Sequence, residues 1–173
     1  MKYFDAICES MKWLGEQPDT VFLGQAVRDA GTAMFTTLRD VPMEKRIEMP
    51  VAEDMQLGIS TGLSLNGFVP ISIYPRINFL LCAIPQLVLH LDKLPLYSGY
   101  RPKVIIRTAI ATDRPLDPGV QHLGDYSDAI GGMLKTVRIK RVGSPDGIID
   151  AYRQAYAVKG STIIVEYLDL YNE

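Results

Sequence analysis

Short runs of β-branched and other apolar residues alternate along this chain with stretches of helical period, and that alternation restricts the fold more than any other feature. Residues 68–74 and 103–108 are nearly continuous apolar runs of strand length, the pattern of strands covered on both faces, and 20–23, 46–49, 136–140 and 162–166 read as further strands. Between them lie helices. Phe4, Ile7, Met11 and Leu14 share one helical face, closed by the Gln17-Pro18-Asp19 break, and a second helical stretch is expected over 32–39. In 53–66, Leu57, Ile59, Leu63 and Leu65 sit among small Gly and Ser residues, which predicts a closely packed helix with Gly67 as its stop. Residues 78–93 predict a helix that Pro85 kinks or cuts. An irregular stretch with Pro115, Pro118 and Gly119 then leads to a short helix after Tyr126. Ser144 is a good N-cap with Pro145 in the first turn of a helix running to Gly160, and the 162–166 strand ends the chain. Strands alternating with helices predict an α/β fold, a doubly wound and mostly parallel sheet with helices on both faces.

The 173 residues, 47% of them hydrophobic, suit one domain spanning 1–173, without internal repeat or linker. A formal charge of -2 gives no basic patch of the kind that nucleic-acid binding requires. Lys2, Asp5, Glu9 and Lys12 interrupt the N-terminal apolar residues, unlike a signal peptide. The longest oily stretch, 79–91, is too short for a bilayer and contains Pro85, Gln86 and His90. No membrane partner is expected, and the expected location is the cytoplasm. Cys8 and Cys82 fall in helical segments far apart in sequence and are expected to be buried free thiols.

Parallel sheets gather ligands where strands feed into helices, so chemistry is sought just after strands. Glu53 stands there, after Met49-Pro50 and at a helix start, where a carboxylate suits the helix N-terminus. The same position also suits an ordinary helix-start glutamate. His90, on an apolar helix, reads as a packed or partly exposed residue.

The run Ile47-Glu48-Met49-Pro50-Val51-Ala52-Glu53, continuing through Gly58, Gly62 and Gly67 to Pro70, resembles the beta subunit of the 2-oxo-acid dehydrogenase decarboxylase component, within the wider transketolase family. The likeness continues through Asn78-Phe79, Ala83-Ile84, Gln86, Lys93, Tyr97-Ser98-Gly99, the 104–107 segment and Gln121-His122, and it includes Phe22-Leu23-Gly24 near the start. It covers nearly the whole chain, and the ordered series carries it. The resemblance implies the pyrimidine-binding domain of a thiamine diphosphate enzyme. By that likeness Glu53 hydrogen-bonds N1′ of the aminopyrimidine and favours the imino tautomer, whose nitrogen takes the thiazolium proton. Phe79 matches the aromatic that stacks on the pyrimidine, a contact worth roughly 0.5–1.5 kcal/mol beyond simple burial. His122 matches a loop histidine near the reactive end of the cofactor, suited to substrate or proton contacts. This chain carries Leu123-Gly124 where the family continues with serine and glutamine. Gln25 stands where the family often has a carboxylate, as a further contact to the pyrimidine pocket.

The other half of such a site needs Mg²⁺ on hard oxygen ligands. Its usual Gly-Asp-Gly and later Asn do not occur: Gly124-Asp125-Tyr126 lacks the second Gly, and no Asn follows until Asn172. No metal ligands are therefore expected in this chain. By the resemblance, Mg²⁺ is held by a separate diphosphate-binding, alpha-type subunit that shares the cofactor, in an α2β2 assembly, and the family's further C-terminal domain is expected to lie on another polypeptide or to be absent. The implied chemistry is decarboxylation of a 2-oxo acid or two-carbon transfer from a ketose. A non-catalytic interaction or regulatory subunit that keeps the fold is the other reading, and Glu53 beside Phe79 favours catalysis.

Overall fold

The computed structural model describes residues 1–111 and 117–172. Its first helix, α1 (Tyr3–Glu16), buries Ala6, Ile7, Met11 and Leu14, and the chain turns at Gln17 into β1 (Thr20–Gly24). The Thr20 hydroxyl locks that turn by donating to the Leu14 carbonyl at 2.6 Å. Next comes α2 (Ala33–Thr36), with Thr32 Oγ1 accepting from the Phe35 amide as N-cap. It is shorter than the expected 32–39. The amides of Thr37, Leu38 and Val41 donate three residues back, to the carbonyls of Met34, Phe35 and Leu38, as successive tight turns, and the buried Arg46 guanidinium also donates to the Leu38 and Val41 carbonyls.

Arg46 opens β2 (Arg46–Glu48), followed by α3 (Glu53–Leu65), which ends before Gly67 at φ +90°. Glycine supplies that left-handed stop at no steric cost. The wholly buried β3 (Val69–Tyr74) leads into α4 (Ile77–Leu80), a 3-10 turn (Leu81–Ala83) and a π-helical stretch (Pro85–Leu91). The axis bends by 59° at Pro85, which has no amide to continue the ladder. After α5 (Leu94–Ser98) come β4 (Ile105–Ile110), a 3-10 turn (Val120–His122) and α6 (Ser127–Met133). The chain then forms β5 (Arg138–Arg141), α7 (Pro145–Ala157), capped by Ser144, and β6 (Thr162–Tyr167). β6 does not end the fold. A 3-10 segment, Leu168–Asn172, folds back and buries Tyr171.

All strand pairs are parallel, in the order β2-β1-β3-β4-β6-β5. Strand periodicity divides the core. Ile71, Ile73, Ile105 and Ile164 face α1 and α7, whereas Ile106, Ile163 and Val165 face α3, α4 and α6. Each of these fully buried aliphatic side chains stabilises the fold by about 1.5–3 kcal/mol. From β1 the chain passes to the outer strand β2, and from β3 it passes the other way to β4. The sheet therefore reverses direction between the carboxyl ends of β1 and β3, where such folds open a crevice. At its mouth β1 and β3 approach so closely that a Cβ on Gly24 would lie 2.5 Å from the Ile73 carbonyl oxygen.

The core also holds charge. Arg107, fully buried, donates from Nε to Glu166 Oε1 at 2.8 Å and from Nη2 to Oε2 at 2.9 Å, while Nη1 reaches Thr37 Oγ1 at 2.8 Å. Tyr152 and Tyr171 both donate their hydroxyls to Glu166, which ties β4, β6, α7, the C-terminal segment and the turn after α2 into one network. Burial pushes both phenols up, and the adjacent Glu166 carboxylate adds to the shift. Asp92, also fully buried, accepts from the amides of Lys135, Thr136 and Val137 and from Lys93 Nζ at 2.7 Å.

Candidate functional site

Gln25 leaves the end of β1 into a loop where Ala26 adopts φ +52°. The Glu48 carboxylate, one strand away, accepts from the amides of Ala26 at 2.6 Å, Val27 at 2.9 Å and Arg28 at 2.8 Å. Partial desolvation pushes Glu48 up, but these amides outweigh it and hold its carboxyl below the usual range. This acid fixes the turn that presents Gln25.

Glu53 begins α3, and the Tyr74 hydroxyl donates to its carbonyl at 3.1 Å. One helical turn on, buried Gln56 donates to Ser72 Oγ at 3.1 Å and to the Ile73 carbonyl at 3.0 Å, pinning the start of α3 onto β3. Gln25, Glu53, Gln56, Pro75 and Phe79 thereby line one narrow crevice at the topological switch. Phe79, half-buried in α4, lies 5.4 Å from the His122 ring, centroid to centroid, with the planes tilted by 55°. Asn78 Nδ2 lies 3.1 Å from His122 Nδ1, while the buried Oδ1 of Asn78 has no hydrogen-bond partner among the described residues. Of the four residues expected from sequence, Gln25, Glu53 and Phe79 line this crevice from three separate segments of the chain, whereas His122 reaches Asn78 and Phe79 but is not among the crevice's lining residues.

Beside the crevice, and sharing Gln25, Pro75 and Phe79 with it, opens a cavity of about 810 Å³. Its walls include Phe4, Met34, Arg76, Ala111, Leu168 and Tyr171.

No group of three or more His, Cys, Asp or Glu side chains suited to a metal occurs among the described residues. Asp125 is engaged internally: it accepts from the Ser127 amide at 2.8 Å and pairs with Arg141 at 3.4 Å. Cys8 is buried, which pushes its thiol up, but Cys82 is exposed on the 3-10 turn, contrary to the expectation that both are buried; both are free thiols. His90 is exposed. Gly58 packs against the Gln86 side chain, 3.6 Å from where its Cβ would be, whereas Gly62 faces open space, so only part of α3 is closely packed. Pro115 lies outside the described residues, and no single helix is long and apolar enough to cross a membrane.

Sequence reasoning missed Gln56, Arg76 and Glu48. A glutamine interrupting the apolar face one turn after Glu53 was the one available signal, because a polar residue on a buried stripe needs partners. Glu48 gave no local sign, since its partners lie twenty to twenty-two residues away.

No family model matches this chain, and no curated protein is similar to it. Among solved structures it is similar to a split gene transketolase, an inactive beta4 tetramer, with a TM-score of 0.73 at 19% sequence identity. The match covers 93% of this chain and 49% of that one, so the chain spans about half the length of the structure it matches. The six-stranded parallel α/β fold described above is a transketolase-like fold.

Proposed function

We propose that the chain is the pyrimidine-binding part of a split thiamine diphosphate enzyme, acting on a 2-oxo acid or a ketose and completed by a diphosphate-binding partner. One observation carries this reading: Glu53 and Phe79 line the same crevice at the point where the sheet reverses direction. The residues fit an aminopyrimidine. Glu53 offers an acid/base group to a ring nitrogen, Phe79 offers an aromatic face, and the unpartnered Asn78 Oδ1 leaves an acceptor beside them. Gln25, held on a loop that Glu48 fixes, adds a second amide to the rim.

When bound, thiamine diphosphate supplies an electron-accepting thiazolium ring. Glu53 holds and releases a proton at the pyrimidine edge, and Gln56 keeps that carboxylate in place by tying α3 to β3. In this reading His122, in contact with Asn78 and Phe79, orients substrate or moves a proton. On the same reading a diphosphate-binding partner carries Mg²⁺ and the diphosphate, in an α2β2 arrangement. The beta4 tetramer of the split gene transketolase is inactive, which agrees with a requirement for a second subunit.

The test is Glu53→Gln in the complex of this chain with a diphosphate-binding subunit, followed by NMR exchange of the thiazolium proton. An amide still hydrogen-bonds but does not relay the proton, so exchange and turnover should fall by about 10²- to 10⁴-fold. The fold should lose no more than about 1 kcal/mol, because only a charge at a helix start is removed. Exchange at the wild-type rate would reduce Glu53 to a helix-start residue.

A further inference from the structure

The two faces of the sheet carry helices of different character. On one face charge points outward: Glu9, Lys12 and Glu16 are exposed on α1, Asp150 and Arg153 on α7. On the other, α3 packs beside the 3-10 turn and the π-helical stretch that follow α4. That layer is almost without charge. From Met55 to Leu91 the sequence holds a single Asp, Glu, Lys or Arg, and this residue, Arg76, lines the cavity beside the crevice. What the layer exposes is aliphatic: Met55 is 44% exposed, Ile59 39%, Leu81 38% and Leu89 61%. Single apolar residues are ordinary on a surface, but neighbouring helical elements that expose several and no charge have the composition of an interface core. Along α3 the outer stripe is Met55, Ile59 and Gly62, spaced by four and three residues, with Gln56, Leu57 and Ser60 buried on the other side. A Cβ on Gly62 would meet nothing within 4 Å, so the stripe presents a bulky end and an open notch.

We infer that a second copy of this chain covers this layer, through a two-fold contact of α3 on α3. A charged partner surface does not suit the layer, because each charge would lose water and find no counter-charge. This chain carries an uncharged surface of its own. The stripe is also its own complement. Met55 and Gly62 lie equally far from the midpoint between Gly58 and Ile59. A two-fold axis at that midpoint sets the helices antiparallel, seats each Met55 in the other copy's Gly62 notch and brings the two Ile59 side chains together. Leu81 and Leu89 on the flanking elements extend the contact toward the roughly 800 Å² per partner of a stable interface. A lipid surface fits less well: helices that lie on membranes set Lys and Arg around the apolar stripe, and residues 55–91 hold no Lys and only the Arg that lines the cavity. The contact needs no cofactor, so it stands apart from the reading of Glu53.

The experiment is sedimentation equilibrium of the full chain up to about 100 µM, where self-association shows as a mass that rises with concentration. Wild type is expected to form a dimer. Ile59→Lys and Ile59→Glu should each raise its dissociation constant at least about tenfold, because like charges meet at the axis. An equimolar mixture of the two variants should associate more tightly than either alone, since Lys then meets Glu across the axis. Gly62→Leu fills the notch where the protomer itself has room, so it should weaken the dimer about tenfold or more without lowering the urea midpoint of unfolding. This variant decides the matter if the Ile59 variants fail to fold. A wild-type chain that stays monomeric at about 100 µM overturns the inference, including one that instead binds anionic lipid vesicles or only a different subunit. So does an Ile59→Lys or Gly62→Leu variant as dimeric as wild type, or a Lys/Glu mixture no tighter than its components.

Discussion

Replacing Arg107 by methionine removes the cation from a site where nothing else can neutralise Glu166. Both side chains are wholly buried, so the glutamate gains no compensation from water when its partner is lost. It loses the paired Nε and Nη2 contacts at 2.8 and 2.9 Å, but keeps the two donated hydroxyls of Tyr152 and Tyr171. Thr37 Oγ1 also loses a donor while still donating to the Met34 carbonyl. Breaking a buried pair from one side costs about 3–5 kcal/mol. The two retained hydroxyls place this case near the lower end, at about 3 kcal/mol, a large part of the roughly 5–15 kcal/mol that holds a domain folded. With a urea dependence of about 2 kcal/mol per molar, the unfolding midpoint should fall by about 1.5 M. The double variant Arg107→Met with Glu166→Gln should recover at least half of that loss, because the stranded charge is gone. A single variant whose midpoint falls by less than about 0.3 M, with an unchanged slope, would refute the idea that this ion pair anchors the core.

Two further outcomes follow from individual contacts. Burial would raise the Asp92 carboxyl, but the Lys93 ammonium and the amides of Val137, Thr136 and Lys135 outweigh it and hold it at about 2. Its contribution, about 2 kcal/mol at about 1.4 kcal/mol per pH unit, is therefore complete above the unfolded value near 3.8 and is lost as pH falls toward 2. Urea midpoints measured from pH 6 to pH 2 should show this drop in wild type and a smaller one in Asp92→Asn; identical profiles would exclude the linkage. Gly24→Ala puts a methyl 2.5 Å from the Ile73 carbonyl oxygen, so β1 and β3 must part and stability should fall by at least about 2 kcal/mol in thermal unfolding. A change below about 0.5 kcal/mol would mean that the strand ends have room to shift.

Much of the fold was legible because its signals are short-ranged. The apolar stripe of α1, the Ser144 cap, the Gly67 stop and the Pro85 break each depend on residues within a turn or two, and each lies where local patterning puts it. The runs 68–74 and 103–108 carried enough continuous apolar character to announce strands buried on both faces. Glu53 and Phe79 were legible as an ordered series of residues, and the fold brings them to one crevice.

Other features belonged to distance in three dimensions. The helix expected over 32–39 gives way after Thr36 to tight turns whose Leu38 and Val41 carbonyls meet Arg46, a partner still to come in sequence. Tyr171, beyond the last strand, becomes core because Glu166 and Arg107 wait for its hydroxyl. Arg107 looks in sequence like a charge interrupting an apolar strand, and its partners stand 59 and 70 residues away. Periodicity and capping thus determined which segments are helices and strands, since those choices are made within a few residues. The strand order, the reversal between β1 and β3, and the cavity beside Arg76 were decided only in the tertiary structure, where side chains remote in sequence had to meet before their charges and hydrogen bonds could be satisfied.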